Sequence, residues 1–164
     1  MNVFYLAYNT TECAKYHVDK HCVKMILEYA QLLSTAHHVL DGETSLSPHL
    51  YKPTHRNHPS AVWVRQSYEN YQWLYSLLEE LSIEYTYRYS KVHATTRLFK
   101  YLEYAPINIP VKLFTEPTPA MPEEYKIAGD SLSSYRRYYN GDKQRMFSWK
   151  NRNTPDWVHV PVLI

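Results

Sequence analysis

The segment KYHVDKHCVKMILEYAQLLSTAHH, residues 15–38, constrains the fold of this chain more than any other stretch. Advanced by about 100° per residue, it gathers Cys22, Val23, Met25, Ile26, Leu27, Tyr29, Ala30, Leu32 and Leu33 on an arc wider than half the helix circumference. An apolar arc that wide belongs to an inner helix with neighbours on several sides. The remaining arc carries His17, Lys20, His21, Lys24, Glu28, Gln31, Thr35 and His38 nearly in line along the axis. A surface helix displays a broad charged face; a narrow ionisable stripe between apolar flanks suits a helix that lines a cleft.

The chain has 164 residues, 45% of them hydrophobic, which suits one domain over 1–164 with a real core. No apolar run approaches the roughly 20 residues that span a bilayer, and the start MNVFYLAYNTTE lacks the pattern of a secretory leader. The expectation is a soluble, cytoplasmic protein with no membrane partner. Cys13 and Cys22 stand nine apart on one expected helix, too far to bond to each other, and read as core thiols. A net charge of +2 does not by itself argue for nucleic acid, so the distribution of charge matters more than its sum.

Along the chain, NVFYLA reads as a short N-terminal strand or extended arm, and Asn9 with Glu12 reads as a helix start. The first helix is expected to run from there to Asp41-Gly42, followed by a Pro-containing loop. Pro59 opens a second helix continuing through SIEY, with Trp63, Val64, Tyr71, Leu74, Leu78 and Leu81 on its buried face and Arg65 on its polar one. A third helix over HATTRLFKYLEY stops at Pro106. The stretch APINIPVKLFTEPTPAMP holds five prolines and should cross the surface as a long extended loop. A further helix runs from its cap, Asp130, to Asn140-Gly141. The fold class is therefore mainly α, a compact helical fold.

Three constellations carry possible chemistry. In the stripe, Lys20 or Lys24 in a cleft would be an amine nucleophile and Glu28 a proton-transfer group, with His17, His21 and Gln31 beside them. The bland alternative is an ion-pair ladder packed under the proline-rich segment. Second, His17 and His21 lie four apart, and His55, His58 and Glu28 could add ligands. No thiolate pair or zinc-protease signature accompanies them, so no metal is assigned; His55 reads equally as a phosphate donor and His58 as a helix cap. Third, aromatic residues stand next to cations in YTYRYSK, SYRRYYNGDK and FSWKNR. Arg88, Lys91, Tyr135, Arg136, Tyr139, Lys143 and Arg152 could form a face that holds bases and phosphates, or a solvated basic face over a tyrosine-rich core. With three glycines and no phosphate loop, no nucleotide cofactor is implied.

The segments DKHCVKMILEYAQLLSTAH, THRNHPSAVWVRQSYENYQWL, EYTYRYSKVH, AMPEEYK and SYRRYYNGDK together resemble a family of small, functionally unassigned proteins encoded largely by bacteriophages, over nearly the whole chain. More distantly, the order of parts is similar to the small phage pyrimidine-dimer DNA glycosylases. An extended arm precedes a helix with a His and basic-acidic stripe, then a second long amphipathic helix and an aromatic basic tail, here NTPDWVHV. That resemblance implies a free N-terminal amine, exposed by removal of Met, and a helix glutamate. Here Asn2 follows Met1 and is large enough to prevent that removal; Val23 or Lys24 falls near the glutamate's place, with Glu28 about one turn later. The leading expectation is a protein acting on DNA or a nucleotide, in its concrete form a base-excision or lyase-like enzyme using Lys20 or Lys24 with Glu28. Its alternatives are a non-catalytic binder of a nucleotide or phosphorylated small molecule, and a phage host-interaction protein.

Overall fold

The computed structural model describes residues 1–159. Residues 1–9 form an extended arm, and Asn9 then starts α1 (Thr10–Tyr16) by accepting a hydrogen bond from the Glu12 amide. The backbone is extended at His17 and Val18 before α2 (Asp19–Asp41) begins, so the expected first helix is two helices. The reason lies in the far half of the chain. Arg88 donates to the carbonyls of Lys15 and His17 at 3.0 and 2.8 Å, occupying acceptors that a continuous helix would use internally. α2 closes at Gly42, where φ is 65°, as the Asp-Gly signal predicts.

His58 caps α3 (Pro59–Arg65) through its side chain, but this helix also stops early. Ser67 adopts an extended conformation and caps α4 (Tyr68–Tyr89), so the expected second helix is likewise divided. The Ser67 hydroxyl also lies 2.8 Å from the carbonyls of Lys112 and Leu113, which the proline-rich segment lays across this joint. That segment accepts from the amides of Tyr68 and Glu69, satisfying part of the open first turn of α4. The expected third helix is a 3₁₀ turn over Ala94–Leu98 followed by the short α5 (Phe99–Leu102). α6 (Ser131–Asp142) starts at its cap Asp130. Gly141 stays helical and does not end it; a Cβ there would fall within the ring of Tyr125, so close approach explains this glycine.

Among the described residues there are six α-helices and no strand, and the fold is mainly α. α2 packs against α4 and α3, and α1 against α4. The buried apolar side chains form one cluster, from Val3–Ala7 of the arm through α2 and α4 to Tyr135, Tyr139 and Trp149. Both cysteines are buried and free, on separate helices. No helix of the described residues is long and apolar enough to cross a membrane. Two side chains assigned to the buried arc of α2 belong elsewhere: Val23 and Leu27 are 40% and 39% exposed, one turn apart on the outer face.

Candidate functional site

The N-terminal arm is held by side chains distant in sequence. Asn2 Oδ1 accepts from the Tyr135 hydroxyl at 2.6 Å, Asn2 Nδ2 donates to Ala120 O, and the Phe4 amide donates to the Tyr29 hydroxyl. These contacts bring the Met1 nitrogen to 3.4 Å from Glu28 Oε1, while Lys24 Nζ lies 3.9 Å from Glu28 Oε2. The Glu28 side chain is 13% exposed and that of Lys24 71%, so a mostly covered carboxylate stands between a buried amine and a solvent-exposed one.

These groups border a cavity of about 140 Å³, which His21, Tyr138 and Lys143 also line. Three amines face one carboxylate here, and the excess positive charge suits an anionic ligand. Lys143 Nζ sits 4.9 Å from the centroid of the Tyr138 ring. Phe4 stacks on His21 with centroids 4.1 Å apart, and His21 Nδ1 lies 2.7 Å from the Tyr139 hydroxyl. Burial, aided by nearby His17, Lys143 and Lys24, pushes His21 down to about 3, so its ring is neutral at pH 7.

Of the stripe, then, His21, Lys24 and Glu28 meet at one cavity. Lys20 is exposed outside its lining, and Gln31, one turn beyond Glu28, is half-buried and also outside it. His17 lies wholly in the core. Its Nδ1 donates to Cys13 O, its Nε2 accepts from the Tyr29 hydroxyl, and burial depresses it to about 4. Each of these histidines is tied to its own tyrosine, and no group of three or more potential metal ligands occurs among the described residues.

The basic aromatic residues do not gather into one free face. Tyr135 and Tyr139 are fully buried. Arg136 donates to Leu6 O and lies over the rings of Tyr16 and Trp157. Arg152 makes two hydrogen bonds to Glu84 and covers Tyr87. Arg88 is buried between Glu84 and Asp19. Arg65 donates to Arg56 O and borders a separate cavity of about 450 Å³ with Leu40 and Pro110. His58 caps α3, His55 is exposed with its Nδ1 on the Thr54 hydroxyl, and Lys91 is exposed after the end of α4. Lys143 alone of this group reaches the cavity of the stripe.

The cavity also contains groups that helical periodicity could not supply: the Met1 nitrogen, Phe4 and Tyr138. The Met1 contact had one signal, the resemblance to enzymes that use an N-terminal amine. Tyr138 had none beyond its place in SYRRYYNGDK. In comparisons with protein-family models, with curated proteins and with solved structures, nothing matches this chain.

Proposed function

We propose that this protein acts on DNA or a nucleotide at the Glu28 cavity, as a base-excision enzyme with lyase-like chemistry. The observation that carries this reading is the placement of two amines, Met1 N and Lys24 Nζ, against the two oxygens of one largely covered carboxylate. An unprotonated amine attacks the anomeric carbon of a nucleoside that has left the base stack. The new N–C1′ bond forms as the bond to the base breaks; the base leaves with the electron pair and takes a proton from solvent. Glu28 accepts the proton that the attached nitrogen releases. It returns that proton to the ring oxygen as the C1′–O4′ bond opens, leaving an iminium between protein and sugar. The iminium loses a C2′ proton to solvent and the 3′-phosphate leaves with the electron pair of its C3′–O bond; water then hydrolyses the conjugated iminium to regenerate the amine. Lys143 and His21 line the same cavity, which supports a role for them in holding the neighbouring anionic oxygens.

Borohydride reduction of the protein mixed with an oligonucleotide containing a damaged pyrimidine or an abasic site tests this directly. A covalent adduct is expected, absent in Glu28→Gln, and its peptide mass identifies the attached residue as Met1 or Lys24. A protein that forms no adduct with any lesion is not a lyase. The same cavity favours one second reading, because its excess of amines over carboxylates would also hold a phosphorylated small molecule without turnover. Binding of free nucleotides with no adduct and no base release selects that reading.

A further inference from the structure

We propose that Tyr139 locks His21 as the Nε2–H tautomer, making His21 a fixed neutral donor to a phosphate oxygen in the Glu28 cavity. This rests on the reading of that cavity as the site, and it names which group of the nucleic acid or nucleotide His21 would hold.

The argument is an accounting of protons. The Tyr139 hydroxyl has two polar neighbours among the described residues: the Val18 amide at 3.4 Å and His21 Nδ1 at 2.7 Å. An amide only donates, so the phenol oxygen accepts from Val18 and its own proton goes to His21 Nδ1. With the roles reversed, Nδ1 would donate and the phenol proton would lie fully buried with no acceptor, which is the costlier arrangement. Nδ1 is therefore the acceptor, and the single proton of the neutral ring sits on Nε2. Burial keeps the ring neutral across the physiological range. Phe4, stacked at 18° to the imidazole, opposes the ring flip that would exchange the two nitrogens.

The Nε2–H has no partner among the described residues, although His21 is only 6% exposed. Among the described residues, the side-chain polar atoms that are both sealed from solvent and unpartnered are Ser60 Oγ and Trp157 Nε1. His21 Nε2 is not one of them, so it reaches open space, and the cavity it lines supplies that space. His17 provides the contrast. Its Nδ1 donates to Cys13 O and its Nε2 accepts from Tyr29, which leaves no proton to offer. Of these two His–Tyr pairs, only the one at the cavity presents a free donor. An N–H with Lys143 and Lys24 nearby, and no charge of its own, suits an anionic oxygen that is already partly neutralised.

The test begins without a ligand. Long-range proton–nitrogen correlation spectra of the full chain with labelled histidine should show His21 with a protonated Nε2 and a bare Nδ1, unchanged from pH 8 to pH 5. Tyr139→Phe should convert that signal to a mixture of tautomers. A protonated Nδ1 in the unaltered protein overturns the proposal whatever the activity. Titration with inorganic phosphate, and separately with an abasic-site oligonucleotide, should then move the Nε2 proton. His21→Ala should weaken phosphate binding by about tenfold, equivalent to about 1.4 kcal/mol. His21→Gln, whose amide also donates, should stay within about threefold of the unaltered protein, and its correct folding separates a lost donor from a collapsed core. If the ligands shift Lys24 and Lys143 but leave the His21 signal in place, the donor role is wrong while the site stands. If they shift nothing in the cavity, the site reading falls and the donor role falls with it.

Discussion

Arg88 Nε lies 2.7 Å from Glu84 Oε2 one turn earlier on α4, and the same guanidinium reaches Asp19 at the start of α2 and two carbonyls at the end of α1. One fully buried cation thus ties three helices together. Burial alone would raise Glu84, but hydrogen bonds from Arg152 and Arg88 outweigh it and hold the carboxyl below its ordinary range. Arg88→Ala should strip a partner from each of two carboxylates, leaving Glu84 to Arg152 alone, free two buried carbonyls, and cost about 3–5 kcal/mol in urea unfolding. Lys91→Ala, on the exposed turn that follows, should stay within about 0.5 kcal/mol.

Acid should weaken the fold from about pH 6.5 downward. Burial depresses His17, His21 and His37 from an ordinary 6.5 to about 4, 3 and 4. Between pH 6.5 and about 4 the unfolded chain binds protons that the folded chain refuses, so stability is fully present above 6.5 and falls as pH falls. Each group contributes a slope of at most about 1.4 kcal/mol per pH unit, and the three together about 4. Urea midpoints measured from pH 8 to pH 4 should bend downward below pH 6.5; a flat profile to pH 4.5 would contradict these neutral rings.

The two lysines of the α2 stripe should separate in function. Lys24→Ala removes an exposed side chain from a 3.9 Å pair and should change stability by less than about 1 kcal/mol while strongly reducing adduct formation or ligand affinity. Lys20→Ala, outside the cavity, should change neither. Thermal melts beside borohydride trapping would read both. A Lys24 variant that melts many degrees lower would show that residue to be structural.

Salt dependence should likewise distinguish Lys143 from Arg152. If Lys143 meets a phosphate, Lys143→Ala should lower the salt slope of oligonucleotide binding by about 0.7–0.9. Arg152 is held by Glu84, so its replacement should leave the slope unchanged and reduce stability instead. Equal slopes for Lys143→Ala and the unaltered protein would remove Lys143 from the interface.

What could be read from sequence was what local physics decides. The apolar arc that buries α2, the caps at Asn9, His58 and Asp130, the stop at Gly42 and the extended proline-rich segment all depend on residues close in the chain. The breaks at His17 and Ser67 depend on Arg88 and on Lys112–Leu113, and no periodicity announces them. The stripe was legible at His21, Lys24 and Glu28, but the break turned His17 inward. SYRRYYNGDK reads equally as a recognition face or as a basic face over a tyrosine-rich core, because alternating aromatic and basic residues suit both stacking and packing. Tertiary contacts decided for packing at Tyr135, Arg136 and Tyr139, leaving Lys143 to the cavity.

The bond between Asn2 and Tyr135 spans 133 residues, and the cavity it helps to shape joins Met1, Asn2 and Phe4 to Tyr138 and Lys143. A growing polypeptide emerges from the ribosome in order, so Met1, Phe4, His21 and Glu28 are made long before the segment that completes their surroundings. Until α6 is synthesised, His21 lacks the phenol that fixes its ring and the arm lacks its anchor. A nascent chain halted before α6 would carry the central carboxylate with no finished pocket around it, so the chemistry proposed for Glu28 waits on α6.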